Sequence, residues 1–278
     1  AMTTRSMSGT VDPWESLDRA TRPMTDRIVA DFYDAFFSDP ALSAFRGDGG
    51  YANLGYWESD VTNATEAGDR LVDKLIAPAS GVTGPILDVA CGQGGSTRRL
   101  RERFQSVPIT ATGVVGSQLE SARARAGNCE FVETDPTDLP FADGTFELVV
   151  SVEAAFHFRT RAGFLAEAFR VLKPGGFLVI SDLLFTRGTP CIPAANYIGS
   201  LTDYRNALIR AGFAEAKVTD ATGPTWRRFR RALNRFVFED PFFRTDPNAL
   251  RDVMAANTGW AWALRRSLIA SAKKGHSG

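Results

Sequence analysis

Residues 87–95 have the sequence Leu87-Asp88-Val89-Ala90-Cys91-Gly92-Gln93-Gly94-Gly95. The apolar run that ends here, residues 85–90, is typical of a buried parallel strand, and the residues after 95 predict a helix. Glycines at a strand-to-helix turn let a ligand approach the backbone, and the N-terminus of the helix favours a negatively charged group. The segment therefore predicts a ligand-binding turn at the edge of a sheet.

Strands and helices alternate on both sides of this turn. The strands are predicted at residues 85–90, 109–115, 129–133, 145–151 and 176–181, and the helices at about 64–77, 95–104, 117–126 and 161–172. Strands that alternate with helices in this way indicate an α/β fold. The expected architecture is a Rossmann-like, doubly wound sheet with mostly parallel strands.

The rest of the chain is interpreted as additions to this core. Residues 1–63 are expected to form a disordered start, an N-terminal helical cap at about 14–37 and an aromatic loop at 51–57. Residues 64–278 are expected to form the core, with an acceptor-binding helical insertion at about 183–260, before the last strand. In the tail the pattern predicts helices at about 200–211, 225–238 and 246–258, and strands near 214–219 and 267–272.

The composition indicates a globular protein that acts on small molecules. The 278 residues include 32 basic and 32 acidic side chains, so the chain lacks the net positive charge that would favour nucleic-acid binding. No stretch approaches the ~18 consecutive apolar residues of a membrane span, so no membrane partner is expected. Cys91, Cys129 and Cys191 are too few and too far apart for a disulfide framework or a metal cluster, which favours a cytoplasmic protein without a dedicated metal site.

Two classes of cofactor compete for the glycine turn. A dinucleotide site would have the pattern G-x-G-x-x-G, followed about 20 residues later by an acid that binds the ribose. Here Thr97 stands at the third glycine position and residues 109–115 contain no acid, which disfavours NAD. The spacing D-x-A-C-G-x-G-G of residues 88–95 resembles instead the first motif of the class I S-adenosylmethionine (SAM)-dependent methyltransferases.

Three further segments continue the resemblance in the family's order. Residues 133–141 resemble its D-A-x-x-L-P-F segment, residues 143–150 its D-x-x-F-D-x-V strand and residues 171–176 its L-K-P-G-G turn. Residues 51–57 and 152–158 resemble the small-metabolite branch, which contains sterol and tocopherol methyltransferases and O-methyltransferases of sugar or polyketide natural products. The resemblance implies SAM as cofactor, S-adenosylhomocysteine (SAH) as product, a small-molecule acceptor, and a monomer or homodimer.

The resemblance also implies which residues bind the two ends of the cofactor. Asp88 would anchor the amino-acid end of SAM through the glycine loop, and Gly92 and Gly94 would allow its close approach. Asp135 would accept a hydrogen bond from the amino group of the adenine. Ala90 and Pro136 belong to the same implied set of cofactor contacts.

Other residues are expected to bind the ribose of the cofactor and to close over it. Many members of the family grip the ribose with an acid after the second strand, and this chain lacks it, so Ser117 or Gln118 is expected there. Tyr56 and Trp57 would close over the cofactor. Glu153 is also placed at the cofactor, with its role open between a partner of the catalytic residue and a cap on a turn.

Methyl transfer is largely a matter of positioning, with a base added where the nucleophile carries a proton. His276 lies in the tail, whereas His157 follows the fourth strand, where the carboxyl ends of the strands form the ligand crevice. His157 is therefore predicted to be the general base; the alternative is a structural residue between two phenylalanines. Asp182, after the fifth strand, is expected to orient or assist His157, or else to cap a helix.

Residues 225–235 carry five arginines. Their helical spacing is typical of a solvated face, and the alternative is a site for an anionic acceptor. Phenylalanines between and after them are interpreted as core or as the wall of an apolar pocket.

The function expected from these features is transfer of the SAM methyl group to a hydroxyl of a secondary metabolite, such as an antibiotic. Two alternatives stay open at this point, because one fold serves several reactions. One is C- or N-methylation of a small metabolite. The other is a methyltransferase-fold protein in which SAM or SAH only supports a cyclisation or rearrangement.

Overall fold

The computed structural model describes residues 40–189 and 192–276. The helical cap that the sequence predicts at about 14–37 lies outside these residues, as does Cys191. No helix in the described ranges has both the length and the apolar character needed to cross a lipid bilayer.

Seven strands of the described chain form one sheet. In chain order they are β1 (Ile86–Val89), β2 (Ile109–Gly113), β3 (Glu130–Glu133), β4 (Phe146–Val152), β5 (Leu172–Phe185), β6 (Glu215–Asp220) and β7 (Leu264–Lys273). Across the sheet the order is β3-β2-β1-β4-β5-β7-β6, in which β1 to β5 are parallel and β7 is antiparallel to β5 and to β6. The predicted Rossmann-like sheet with mostly parallel strands is confirmed.

The described helices precede and connect these strands. They are α1 (Pro40–Arg46), α2 (Ala64–Ile76), α3 (Gly95–Arg103), α4 (Gly116–Ala126), α5 (Arg161–Val171), α6 (Leu201–Arg210), α7 (Arg228–Glu239), α8 (Pro241–Thr245) and α9 (Pro247–Ala263). Short 3-10 turns lie at Ala77–Ala79, Ala155–His157 and Ala194–Asn196, and a π-helical turn at Gly223–Arg227 precedes α7.

Hydrophobic layers cover the sheet. One contains Phe164 of α5 and Tyr204 of α6, and the other contains Leu71 of α2 and Leu100 of α3; all four side chains are fully buried. Every residue of β1 is buried as well, as expected for a central parallel strand that is covered on both faces. With its faces covered by helices, the sheet is left with the carboxyl ends of its parallel strands as the natural place for a ligand.

Two features of the second half differ from expectation. β5 extends over Leu172–Phe185 rather than 176–181, because its last residues stay apolar and pair with β7. β6 confirms the strand predicted near 214–219; it lies inside the stretch 183–260 and pairs with β7, so that stretch is not helical throughout. The helical insertion before the last strand is therefore the shorter stretch 223–263, between β6 and β7.

Candidate active site

A cavity of about 440 Å³ opens where the parallel strands end. Its main walls are residues 90–93 after β1, 112–115 at the end of β2, 134–136 after β3, and 152–154 with His157 after β4. Residues 50–53 of the aromatic loop line it as well. The strand order changes direction between β1 and β4, and ligands of doubly wound sheets bind at such a switch point.

The glycine loop presents its backbone to this cavity. Gly94 has φ +86°, and a Cβ there would lie 2.7 Å from the Cα of Ala122, so only glycine lets the loop pack this closely on α4. Gly92 has φ +55°, and a Cβ there would meet only Oε1 of Gln118, at 3.9 Å. The side of Gly92 without a side chain is therefore open, which allows a ligand to approach the main chain.

Asp88 supports this loop from behind and does not line the cavity. Its Oδ2 accepts hydrogen bonds from the hydroxyls of Ser96 and Thr97, both at 2.7 Å, in the first turn of α3. Its Oδ1 is buried and has no hydrogen-bond partner among the described residues. Burial raises the pKa of the Asp88 carboxyl to about 6. Asp88 thus holds the first turn of α3, and Thr97 at the third glycine position is one of its two hydrogen-bond donors. Its role towards SAM stays a prediction.

Of the two residues proposed for the ribose, Gln118 faces the cavity. Its side chain is buried, and its Nε2 has no hydrogen-bond partner in the described chain. Ser117 is exposed and is absent from the cavity wall. Val114 and Val115 occupy the place after β2 where an acid would stand. Gln118 is the better placed of the two for the ribose.

Asp135 and Pro136 line the cavity after β3, as expected. Oδ1 of Asp135 accepts from the backbone N–H (2.8 Å) and the hydroxyl (2.7 Å) of Thr137, and Oδ2 forms an ion pair with Arg159 at 3.0 Å. These bonds fix the orientation of the Asp135 carboxylate. Its role towards the adenine stays a prediction.

Tyr51 is the aromatic residue of the loop that lines this cavity. A Cβ on Gly68 would lie 2.3 Å from its ring, and a Cβ on Gly95 would lie 2.7 Å from it. The ring therefore packs against two residues that have no side chain. Its hydroxyl donates to Asp69 at 2.6 Å. Gly68 and Gly95 leave the space that the Tyr51 ring occupies. Both glycines are visible in the sequence, but their contact with Tyr51 can be recognised only in the three-dimensional structure.

The expected cover of the cofactor by Tyr56 and Trp57 is corrected. Both residues line a second cavity, of about 490 Å³, and neither lines the first. Gly55, with φ +69°, turns the chain directly before Tyr56. The first cavity, of about 440 Å³, is called the cofactor cavity below. The other residues of this second cavity are Glu58, Gly223, Pro224, Arg227, Arg228 and Arg231.

His157 and Glu153 bring titratable groups to the end of β4. His157 closes the 3-10 turn, lines the cofactor cavity and has its ring centroid 4.1 Å from that of Phe156. Glu153 lines the same cavity and accepts from the N–H of Leu54 at 2.8 Å. Burial raises the pKa of the Glu153 carboxyl to about 8. The cavity wall therefore carries both an imidazole ring and a carboxyl group whose pKa is raised.

Asp182 lies elsewhere, and its expected role beside His157 is corrected. It is fully buried and absent from the cavity wall. Arg161 of α5 donates to it from Nε at 2.7 Å, and the hydroxyl of Tyr204 on α6 donates at 2.9 Å. Such a buried pair must satisfy its charges internally, so Asp182 joins α5 and α6 to β5.

Cys91 also lines the cavity, and burial raises the pKa of its thiol well above the usual range. It is therefore an uncharged packing residue. In the ranges that the structure describes, no group of three or more His, Cys, Asp or Glu side chains is arranged to hold a metal ion.

Comparisons with known proteins agree with this geometry. The family described as methyltransferase domain matches residues 87–180, the segment from β1 into β5. The O-methyltransferase cnsE of Penicillium expansum is 36% identical, over 62% of this chain and 68% of that protein. The erythromycin 3''-O-methyltransferase of Saccharopolyspora erythraea is 32% identical, over 67% of this chain and 68% of that protein.

A solved structure extends the similarity to nearly the whole fold. The crystal structure of the [4+2]-cyclase SpnF superposes with a TM-score of 0.69 at 24% identity, and covers 91% of this chain and 98% of that chain. At this identity the likeness concerns the fold alone. Together with the glycine turn, the cavity at the switch point and the two O-methyltransferase relatives, it leads to one conclusion: this chain belongs to the SAM-dependent methyltransferases.

Proposed function

We propose that the protein transfers the methyl group of SAM to a hydroxyl group of a small secondary metabolite. The observation that carries the proposal is the placement of His157 on the wall of the cofactor cavity, in a chain more than 30% identical to two O-methyltransferases. A hydroxyl nucleophile has a proton to lose, and histidine is suited to accept it near neutral pH.

The residues of the cavity fit SAM. Gln118 offers an unpartnered amide N–H₂ for a ribose oxygen, and the open side of Gly92 allows the cofactor to contact the backbone. The N-terminus of α3 begins at the same loop and favours a carboxylate. When bound, SAM supplies an electrophilic methyl group on a positively charged sulfur.

The chain's own residues then position the acceptor and move its proton. His157 would accept the hydroxyl proton at a ring nitrogen as the oxygen attacks, so that no free alkoxide need form. The aromatic loop, through Tyr51 and its neighbours, would exclude water from the cavity. The acceptor would enter between this loop, the residues after β4 and the helical insertion 223–263. Cytoplasmic location and a monomeric or homodimeric state stay predictions from the sequence.

C- and N-methylation use the same scaffold and stay alternatives to be separated by experiment. The cyclisation or rearrangement alternative has less support. The likeness to the cyclase is one of fold, whereas the two relatives reported above, at 36% and 32% identity in sequence, are O-methyltransferases.

The test is a paired acceptor assay. Purified protein is incubated with SAM and a panel of hydroxylated polyketides, glycosides and phenols, and SAH formation is measured. Each active acceptor is compared with an analogue in which the hydroxyl is replaced by hydrogen. We expect SAH only with the hydroxylated member of a pair. Equal SAH from both members would exclude the hydroxyl as the site of methylation.

A further inference from the structure

Glu153 joins the end of β4 to the aromatic loop. Its Oε2 accepts from the backbone N–H of Leu54 at 2.8 Å, and its Oε1 lies 3.3 Å from the hydroxyl of Ser181. Its own backbone N–H donates to the carbonyl of Ser181 at 2.8 Å. Both oxygens of this buried carboxyl are therefore held, one of them by a loop 99 residues earlier in the chain.

The backbone at Glu153 is strained. Its φ of +49° lies in the left-handed region that residues with side chains rarely adopt, and Ala90 in the glycine turn, with φ +62°, shares this property. Such conformations persist where the surroundings determine them, and they cluster at functional sites. Both residues line the cofactor cavity. The strained Glu153 thus lines the cavity, and its carboxyl is hydrogen-bonded to the aromatic loop.

Leu54 is a central point of the loop. Its N–H donates to Glu153, and its carbonyl accepts from the indole Nε1 of Trp57 at 2.8 Å. Trp57 in turn donates from its backbone N–H to the carbonyl of Pro224 at 2.8 Å. Residues 50–53, directly before Leu54, line the cavity. A displacement of Leu54 from Glu153 would therefore shift this wall of the cavity.

We propose that Glu153 is a positioning residue: its carboxyl group latches the aromatic loop, residues 51–57, over the cofactor cavity, and its charge there favours the cationic SAM over SAH, whose sulfur is neutral. The proposal rests on SAM as the cofactor and is independent of which acceptor is methylated.

Electrostatics give the charge role a definite pH dependence. Burial and, to a smaller extent, Asp182 raise the pKa of Glu153 to about 8. The charged or titratable groups on the cavity wall besides Glu153 are His157, the Asp135–Arg159 pair, and Tyr51 and Cys91, whose raised pKa values leave them uncharged. Asp182 is itself paired with Arg161. Without cofactor, Glu153 is therefore mostly protonated at pH 7.

The sulfonium charge of SAM favours the ionised carboxylate, so binding of SAM should release a proton from Glu153, whereas binding of SAH should not. The ratio of SAM to SAH affinity should then rise from pH 6.5 to 8.5, at most about tenfold per pH unit for one linked proton. We expect less than this maximum: the ratio of SAM to SAH affinity should rise several-fold over the whole range from pH 6.5 to 8.5.

Two variants separate the latch from the charge. Glu153→Gln keeps an oxygen that accepts from Leu54 and removes the charge, and Glu153→Ala removes both. Glu147, near the other end of β4, is the matched control, because its carboxylate also accepts from loop N–H groups, at Thr83 (3.2 Å) and Gly84 (2.8 Å), away from the cavity. The control variants are Glu147→Gln and Glu147→Ala.

The latch is measured by hydrogen exchange of the Leu54 amide in the cofactor-free chain. We expect exchange about tenfold faster or more in Glu153→Ala, and near the parental rate in Glu153→Gln and both Glu147 variants. Unchanged exchange in a folded Glu153→Ala would overturn the latch. Should that variant not fold, Glu153→Met, which fills similar space without an acceptor oxygen, takes its place: faster exchange of the Leu54 amide than in Glu153→Gln would support the latch, and an equal rate would overturn it.

The charge is measured by calorimetric titration with SAM and with SAH at pH 6.5, 7.5 and 8.5, in buffers of different ionisation enthalpy. We expect proton release with SAM in the parent and in Glu147→Gln, and none in Glu153→Gln, whose SAM-to-SAH ratio should not vary with pH. A Glu153→Gln variant with the parental pH dependence would overturn the charge role. Neither measurement uses an acceptor, so a failed O-methylation assay would leave both results valid.

Discussion

His157 is the residue on which the proposed proton transfer depends. It ends the 3-10 turn after β4 and lines the cofactor cavity, so its ring can meet an acceptor there without a change of fold. His276, the other histidine of the chain, lies against Gly175 near the amino end of β5. The two histidines thus form a natural pair for comparison.

We predict that His157→Ala lowers kcat about 100-fold or more while the affinity for SAM changes by less than about threefold, because a general base acts in the transition state and not in cofactor binding. The measurements are steady-state kinetics and calorimetric SAM binding. His276→Ala, as control, should match the parent in both. An unchanged kcat in His157→Ala would remove the assignment of the base.

Asp88 provides a test of the buried carboxyl beneath the glycine loop. Its pKa is raised to about 6 from 3.8, so the folded chain binds this proton more tightly than the unfolded chain. The contribution of Asp88 to the free energy of unfolding therefore falls as the pH rises through this interval, by about 3 kcal/mol in total.

Asp88→Asn should remove that decline, since its amide keeps an oxygen for Ser96 and Thr97 and has no charge to bury. The stability of the variant relative to the parent should thus increase between pH 4.5 and 7.5, as measured by urea unfolding. The exposed Asp143→Asn should show no comparable trend. A stability difference that stays constant with pH would refute the buried-charge explanation.

The limits of sequence-based prediction also show at single residues. Asp88, Gly92 and Gly94 were found because strand, turn and helix are adjacent in sequence. Tyr51 was missed in favour of Tyr56 and Trp57, although all three belong to one quoted segment. Which of them faces the cavity depends on the positive φ of Gly55 and on contacts with distant glycines, neither of which a local pattern reveals.

Elements of the core are joined by a buried ion pair. Arg161 at the start of α5 and Asp182 on β5 are almost inaccessible to solvent, and Tyr204 of α6 completes the group. Asn196 contributes as well, because its Oδ1 accepts from the backbone N–H of Arg161 at 2.6 Å. This arrangement connects two helices to the strand beside β4.

We predict that Arg161→Met lowers stability by about 3–5 kcal/mol, because it leaves the buried carboxylate of Asp182 without its counter-charge. For a chain of this size the melting temperature should fall by roughly 10 °C. Arg251→Met, which breaks the exposed pair with Asp252, is the control and should change it little. A melting temperature equal to the parent's would contradict the structural role.

A substitution in the Arg161–Asp182 pair also tests whether Asp182 has a structural or a catalytic role. In Asp182→Asn, turnover per folded molecule should stay within a few-fold of the parent even where the melting temperature falls. A loss of kcat as large as that expected for His157→Ala, in fully folded protein, would return Asp182 to the catalytic residues.

At the level of elements the sequence was informative in the first half of the chain. The spacing of apolar residues and the positions of glycines at turns located β1 to β4 and their helices to within a few residues. In the second half the tail helices and the strands near 214–219 and 267–272 were also located. The length of β5 was not, because its antiparallel pairing with β7 depends on residues far apart in sequence. β5 was therefore predicted too short.

The whole molecule concentrates its chemistry at one edge. Loops after β1, β2, β3 and β4 line one cavity, and the aromatic loop closes it from a segment before the sheet begins. The second cavity is lined by Tyr56 and Trp57 of the same loop and by Arg227, Arg228 and Arg231. A small cofactor and a small acceptor can thus meet at the end of β4, which is what methyl transfer requires.

The decisive measurement is the fate of a labelled methyl group. The protein is incubated with SAM that carries a ¹³C-methyl group and with an accepted hydroxylated metabolite, and the product is examined by mass spectrometry and NMR. We predict a product heavier by one labelled methyl group, with the label bonded to oxygen. A label on carbon or nitrogen, or no transfer to any hydroxylated acceptor by protein that binds SAM, would contradict O-methylation.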